Sequence, residues 1–447
     1  MRSNPVKAAC LAALVAMPSA AVQAQVQSPV RPGIHAADLE RIAPTALSVP
    51  PASERPPGSL RRSTTVAPNL VITAQNVGRV NPVLLRSILD QSYLKAAGDA
   101  IAANLKNKSV GYAVAIVMPD GAMATRTGGS ARRAPDVTPR AMLASDKITI
   151  ASSSKTITAA ALMHLMTAQN ISAGATIGQY LPPYWKLGPH VSKITLGQLL
   201  THTSGIRTCG IFYADLKSCL AGGVNLADQT YQYENTNFAL FRVIIPRMRG
   251  VVSAPIDSFL AALEAASNTD TSASFYARSY MDYVNQVVFK PIGFPRMYCT
   301  PSGSSPALSY KGVPTNIYDF TTVGPGDVWG DMTLSCGSQG WQLSAIQLAT
   351  FMHELQTGPK IVASSVADMM RTSQYGMYAR TVTSPKYPKG LVYWHHNGYH
   401  PASMNGGEIN TVMMYYANGV TVAAIINSPY APDDNYYPAL ENAIASV

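Results

Sequence analysis

The chain has 447 residues, 47% of them hydrophobic and 13% charged, which allows a large core and excludes wholesale disorder. The formal net charge is +10 and the pI near 9.3, yet the basic residues are scattered (Arg31, Arg41, Arg55, Arg61, Arg62, Arg79, Arg86), without a long basic run or an RNA-binding pattern. Such a distribution suits anionic surfaces or substrates and argues against nucleic acid as a partner.

In chain order, the first 24 residues read as an export signal. Arg2 and Lys7 form a positive n-region, "AACLAALVAM" an apolar core, and "VQA" a small-residue site with cleavage expected after Ala24. Cys10 precedes most of the apolar segment instead of closing it, which argues against a lipoprotein. No other apolar run reaches transmembrane length, so no membrane anchor is expected and the mature protein is placed in the periplasm or outside the cell. Residues 25–82, with "SVPPASERPPGSLRRS", lack steady periodicity and read as a Pro-rich leader or linker.

Residues 83–447 are expected to hold one domain. "NPVLLRSILDQSYLKAAGDAIAANLKN" has the apolar spacing of an amphipathic helix. "GYAVAIVMPDGAMATRTGG" reads as two strands around a Pro-Asp-Gly turn. Helical patterns then alternate with Gly/Pro loops as far as about residue 355. "INTVMMYYANGVTVAAIINS" returns to strands around Asn-Gly, and "YYPALENAIASV" ends the chain as a helix. The simplest architecture is α+β: an antiparallel sheet of early and late segments flanked by helices, with a mostly helical insertion over about 156–355.

Four cysteines remain after the signal: Cys209, Cys219, Cys299 and Cys336. An even number in an oxidising compartment suggests two disulfides with three possible pairings. Proximity in sequence favours Cys209 with Cys219 and Cys299 with Cys336. There is no C-x-x-C metal pattern. His395, His396 and His400 lack a helical H-x-x-x-H and nearby acidic partners, which argues against a metal site.

The chemistry concentrates in "TIASSSKTITAAALMHLM", residues 149–166, where three serines and a lysine open an apolar helix. The serines have a bland explanation as N-caps. Residues three apart share a helix face, and only Ser152 has a lysine at that offset, Lys155. A serine there can be deprotonated by a neutral lysine, with helix-end N–H groups facing a developing oxyanion. The spacing alone is weak, because Ser92 and Lys95 repeat it. "QYENTNFALFRVI" adds Tyr233-x-Asn235, a phenol whose pKa a nearby ammonium would lower toward that of a base. That pair also recurs, at Tyr283–Asn285 and Tyr416–Asn418. "WHHNGYHPASMNGGEINTV" supplies His396-Asn397-Gly398, with the histidine expected to line a cleft and the glycine to admit substrate backbone. Lys186-Leu187-Gly188 is a decoy of related shape. No G-x-S-x-G elbow is present, so His202 in "LLTHTSGI" reads as a structural hydrogen-bonding residue.

Taken in order, "SSSK", "YENTNF" and "HNG" resemble the serine hydrolases grouped with class C β-lactamases, penicillin-binding DD-peptidases and related esterases, whose pattern is Ser-x-x-Lys, Tyr-x-Asn, Lys/His-x-Gly. "ITLGQLLTHTSGI", "VFKPIGFPRMY" and "GWQLSAIQLATFM" are further family-like landmarks, and the resemblance runs from about residue 82 to the C-terminus. It implies that Ser152 forms an acyl-enzyme which water hydrolyses, and that Lys155 and Tyr233 share general base and acid work. It also implies that Asn235 holds substrate amides or the lysine, and that the backbone N–H groups of Ser152 and Tyr399 form the oxyanion hole. No metal or organic cofactor is implied, and the expected partner of this monomer is a small-molecule, peptide or ester substrate.

Three departures bear on that substrate. His396 stands where β-lactamases of this group usually carry lysine, the last helix has no Lys or Arg, and Asn397 and Tyr399 replace small or hydroxylated residues. They favour an esterase, amidase or peptidase over an efficient β-lactamase. The rival expectation is a protein of the same fold that binds or senses penicillin-like or peptidoglycan ligands without turnover.

Overall fold

The computed structural model describes residues 82–266, 268–312, 324–403, 406–431 and 435–446, with side chains from residue 90 onward. The signal peptide and leader expected over residues 1–82 lie outside these, except for Pro82, which opens the first helix.

Helix α1 (Pro82–Leu105) starts at a proline, whose fixed φ and missing N–H suit a first helical position. It is followed by β1 (Gly111–Val117) and β2 (Met123–Arg132), paired antiparallel from Gly111↔Gly129 to Val117↔Met123. Their turn is the expected Pro-Asp-Gly, with Gly121 at φ +87°, a backbone that favours glycine. Two short strands come next, β3 (Arg140–Ala141) and β4 (Ile148–Thr149). A 3₁₀ turn, Ala151–Ser153, then leads into α2 (Ser154–Ala168).

The middle of the chain is helical: α3 (Leu196–Leu200), α4 (Tyr213–Gly222), α5 (Asn235–Ala239), α6 (Phe241–Met248), α7 (Ala254–Ala265) and α8 (Thr269–Val284). Thr195 opens α3 with a capping box, its hydroxyl accepting from the Gln198 N–H while Gln198 accepts from the Thr195 N–H. After β5 (Gln342–Leu343), Ser344 and Gln347 repeat that device at the start of α9 (Ala345–Thr357). The chain closes with α10 (Ser364–Thr372), β6 (Tyr378–Val382), β7 (Leu391–His400), β8 (Ile409–Tyr416), β9 (Thr421–Ile426) and α11 (Tyr437–Ser446).

Seven strands form one antiparallel sheet in the order β3-β2-β1-β9-β8-β7-β6, so early and late segments meet at β1–β9 as expected. The central strands are buried on both faces, and their period of two divides them between two cores. Ala113, Ala115 and Val117 of β1, with Ala423 and Ile425 of β9, join the larger core with α2, α9 and the middle helices. Tyr112, Val114 and Ile116, with Val422, Ala424 and Ile426, pack under α1 and α11. The β8–β9 turn is the expected Asn418-Gly419, with Gly419 at φ +87°.

Two elements went unread in the sequence. The segment around His396, to which the sequence assigned no element, is part of β7, paired with β8 through His396↔Met413 and Gly398↔Thr411. β6 flanks it, with the last pair at Tyr378↔His395. Among the described strands, none lies beside the outer edge of β7 beyond His395. The cysteines pair as Cys209–Cys219 and Cys299–Cys336, with Cα atoms 5.9 and 6.1 Å apart. Among the described residues no helix is long and apolar enough to cross a membrane, and no group of three or more His, Cys, Asp or Glu could hold a metal ion.

Candidate active site

The three serines at the head of α2 have three different tasks, and none caps the helix with its hydroxyl: Ser153 occupies the N-cap position of α2, but no side-chain cap bond forms there or at the 3₁₀ turn. Ser153 is buried and shares a 3.0 Å hydrogen bond with the hydroxyl of Thr411 on β8. Ser154, also buried, accepts from the Trp341 N–H at 3.3 Å. Only Ser152 reaches a pocket.

The turn that presents Ser152 is held tightly. Ala151 sits at φ +47°, a left-handed backbone that costs a non-glycine residue roughly 1–2 kcal/mol. The Ile150 N–H donates to the Trp341 carbonyl at 2.9 Å, and the Ile150 carbonyl accepts from Thr411 Oγ1 at 2.8 Å. Gly398 lies directly beneath: a Cβ there would stand 2.1 Å from the Ile150 carbonyl oxygen and 3.1 Å from Ala151 Cβ. The glycine of His-x-Gly therefore admits the protein's own serine turn, where the expectation was a substrate backbone.

Lys155 is completely buried. Its Nζ donates to Ser152 Oγ at 2.9 Å, to Asn235 Oδ1 at 2.7 Å and to the Ser338 carbonyl at 2.8 Å. It also lies 4.9 Å from the centre of the Tyr233 ring. All three acceptors are neutral. Desolvation without a counter-charge pushes the lysine well below its ordinary pKa, because an isolated buried ammonium is expensive. Asn235 is the first residue of α5, so the helix start fixes its amide against the lysine.

Tyr233 corrects an expectation. The residue is 38% exposed and lines the pocket, yet burial pushes its phenol up. The Ser152 hydroxyl lowers it only in part, and the neighbouring Tyr231 raises it further. That direction is the opposite of the lowering expected beside an ammonium.

His396 corrects another. It is 1% exposed and does not line the pocket. Burial first, then the nearby Lys155, hold it well below its ordinary pKa, which disfavours its cationic form. Its Nδ1 lies 2.6 Å from the Asn397 carbonyl, and the ring rests against Tyr378 at 5.3 Å between centroids. His202 is structural, as expected. Its Nδ1 accepts from the Glu234 N–H at 3.2 Å, and its ring lies between Tyr233 at 4.6 Å and Phe238 at 5.2 Å. Burial lowers it to about 3.

The pocket measures about 440 Å³ and is lined by Ser152, Tyr231, Tyr233, Asn235, Tyr378, Asn397 and Tyr399. Five of these were singled out in the sequence. Tyr231, Tyr378 and the Ser338 carbonyl were not. Tyr231 lies two residues before Tyr233 and was legible in principle, whereas Tyr378 has no local motif and Ser338 acts through its backbone. The recurrent spacings fall elsewhere: Ser92 and Lys95 lie on the exposed face of α1, and the Asn285 amide hydrogen-bonds the backbone of Met281 and Met297.

Solved structures share this fold at low sequence identity. A β-lactamase/D-alanine carboxypeptidase from Pseudomonas syringae is 15% identical, with a TM-score of 0.56 over 80% of this chain and 98% of that one. A D-stereospecific amidohydrolase from a Streptomyces species is 19% identical, with a TM-score of 0.53 over 79% and 99%. A class C β-lactamase from Rhodobacter sphaeroides is 15% identical, with a TM-score of 0.55 over 79% and 99%. No curated protein sequence matches the chain. The profile of the Beta-lactamase family matches residues 91–445, and the chain therefore belongs to that family of serine hydrolases.

Proposed function

We propose that the protein is an exported hydrolase that opens an amide or ester bond through an acyl-enzyme on Ser152. One observation carries this reading. Two of the three partners of Lys155, Asn235 Oδ1 and the Ser338 carbonyl, can only accept, so a neutral amine spends both its N–H groups on them. Its lone pair is left facing Ser152 Oγ, 2.9 Å away. Lys155 is thereby oriented as a general base.

In the proposed sequence, the Ser152 proton passes to Lys155 as Oγ attacks the carbonyl carbon. The oxyanion is received by the backbone N–H groups of Ser152 and Tyr399. Tyr233, kept protonated by burial, relays a proton to the departing alcohol or amine and regains one from Lys155. Water then attacks the acyl-enzyme and gives a proton to the same pair, which returns it to Ser152 Oγ as the acyl–oxygen bond breaks and the acid leaves. Asn235 and Asn397 present amide groups to the substrate. Export rests on the N-terminal pattern, with which two disulfides agree.

The test is covalent labelling of the purified mature protein by a fluorescent fluorophosphonate, beside Ser152→Ala and the control Ser92→Ala, with p-nitrophenyl esters and nitrocefin as substrates. Labelling lost only in Ser152→Ala, with turnover, supports the reading. Labelling without turnover of any substrate indicates the binding or sensing alternative. Labelling that survives Ser152→Ala removes the mechanism.

A further inference from the structure

Among the described residues, tyrosine supplies four of the seven that line the pocket, and none of the seven is charged. The rings are fixed by what stands behind them. Tyr231 and Tyr378 meet edge to face, 6.5 Å apart at 89°, and their phenols interact. The buried His202 ring backs Tyr233 at 4.6 Å and lies 6.4 Å from Tyr231. The buried ring of His396 backs Tyr378. The Tyr399 phenol donates to Glu408 Oε2 at 3.4 Å. Tyr231, Tyr233 and Tyr399 are 61%, 38% and 47% exposed, yet all open onto one mouth. Large exposed apolar rings gathered at one concave site mark a binding surface, and rings already held in place lose little freedom on binding.

The charges closest in sequence are committed elsewhere. Glu234, between Tyr233 and Asn235, accepts from the Thr208 N–H and from Gln232. Arg380, two residues beyond Tyr378, pairs with Glu441 at 3.7 Å and covers the Tyr437 ring. Lys155 lies wholly beneath the floor. Burial keeps the phenols of Tyr233 and Tyr378 protonated, so they add no charge. Among the described lining residues a substrate carboxylate would find no cation, and it would meet ring faces that carry partial negative charge.

We infer that this pocket selects uncharged esters or amides that carry an aromatic ring beside the scissile bond, and that Tyr231 and Tyr378 set the selection. The ring packs against the tyrosine pair, and the carbonyl carbon rests over Ser152 between the two asparagine amides. The inference builds on the acyl-enzyme reading of Ser152.

The experiment measures protection of Ser152 from fluorophosphonate by three boronic acids, which add reversibly to a nucleophilic serine whether or not a substrate is turned over. They are benzylboronic acid, cyclohexylmethylboronic acid and 4-carboxybenzylboronic acid. The benzyl compound is expected to bind about 3- to 10-fold more tightly than its saturated counterpart, the range for one aromatic pairing. The carboxylated compound is expected to be at least about tenfold weaker than benzyl. Tyr231→Leu, at an exposed position, and Tyr378→Leu should each shrink the benzyl-over-cyclohexyl ratio toward one while labelling persists. Equal binding of the carboxylated and neutral compounds, or a ratio unchanged in both variants, overturns the inference and leaves the acyl-enzyme intact. Absence of labelling in the parent protein overturns both.

Discussion

The chain contains the spacing Ser-x-x-Lys twice on helices, and the two copies have opposite surroundings. At Ser92–Lys95 the lysine is 76% exposed and pairs with Asp99 at 2.6 Å one turn further along α1. At Ser152–Lys155 the lysine is fully buried, holds three neutral acceptors and, among the described residues, meets no carboxylate. An exposed ammonium with a counter-ion keeps its proton and has no lone pair to offer. A buried one without a counter-ion gives the proton up. Spacing puts a serine and a lysine side by side, and burial decides whether the pair can do chemistry.

Replacing the two lysines in turn makes the largest break. Lys155→Arg replaces the amine with a group that cannot be deprotonated, so kcat/KM for a p-nitrophenyl ester should fall at least about a thousandfold. Lys95→Arg should leave it unchanged. A Lys155→Arg protein within tenfold of the parent would show that this lysine is not the base.

A smaller change gives the buried lysine what the exposed one already has. Asn235→Asp places a carboxylate where an amide oxygen now accepts from Nζ at 2.7 Å. The charge stabilises the ammonium and raises the lysine pKa. Because the proposed base is the neutral form, the acidic limb of the pH–rate profile should move to higher pH. Activity near pH 7 should drop about 10- to 100-fold and recover in part on the alkaline side. Asn235→Ala, which loses the same contact without adding charge, should show no such alkaline shift. A matching profile for both variants would mean that the asparagine serves substrate alone.

How much of this was legible in the sequence depended on what kind of signal each part leaves. α1, the β1–β2 and β8–β9 hairpins, α11 and the antiparallel early–late sheet could be read because periodicity and turn chemistry are local. β6 and β7 could not. In "WHHNGYH" three histidines and an asparagine share the strand with a glycine, so the alternation breaks even though the backbone pairs regularly with β8. The order of Ser152, Tyr233 and His396 led to the site, but what each residue does there depends on depth. His396 resembled a cleft residue and is a buried support. Tyr233 suggested a phenol with a lowered pKa, and burial raises it instead. Ser338 contributes a carbonyl, which any residue would supply, so no side chain marked it.

The last contrast is in acid, and its per-residue effect is the smallest. Three buried histidines are held below their ordinary pKa: burial lowers His202 to about 3 and both His395 and His400 to about 4. In the unfolded chain each returns to about 6.5. Between those values the unfolded state binds more protons, so folding stability is full above pH 6.5 and falls as the pH drops toward 4. Each histidine costs up to about 1.4 kcal/mol per pH unit in that window. Beside Lys95 the group that responds is Asp99, whose pKa its bonds to Lys95 and Arg126 hold below the ordinary 3.8. Its contribution is kept throughout the histidine window and begins to fade only below about pH 4. His400→Phe preserves the packing on Trp329, whose ring lies 4.4 Å away, and removes one titrating group. Denaturant unfolding between pH 6.5 and 4.5 should then show a slope flatter by about 1 kcal/mol per pH unit, while Asp99→Asn leaves the slope untouched. A slope that Asp99→Asn flattens as much as His400→Phe would place the acid sensitivity on the surface of α1 instead of behind the serine.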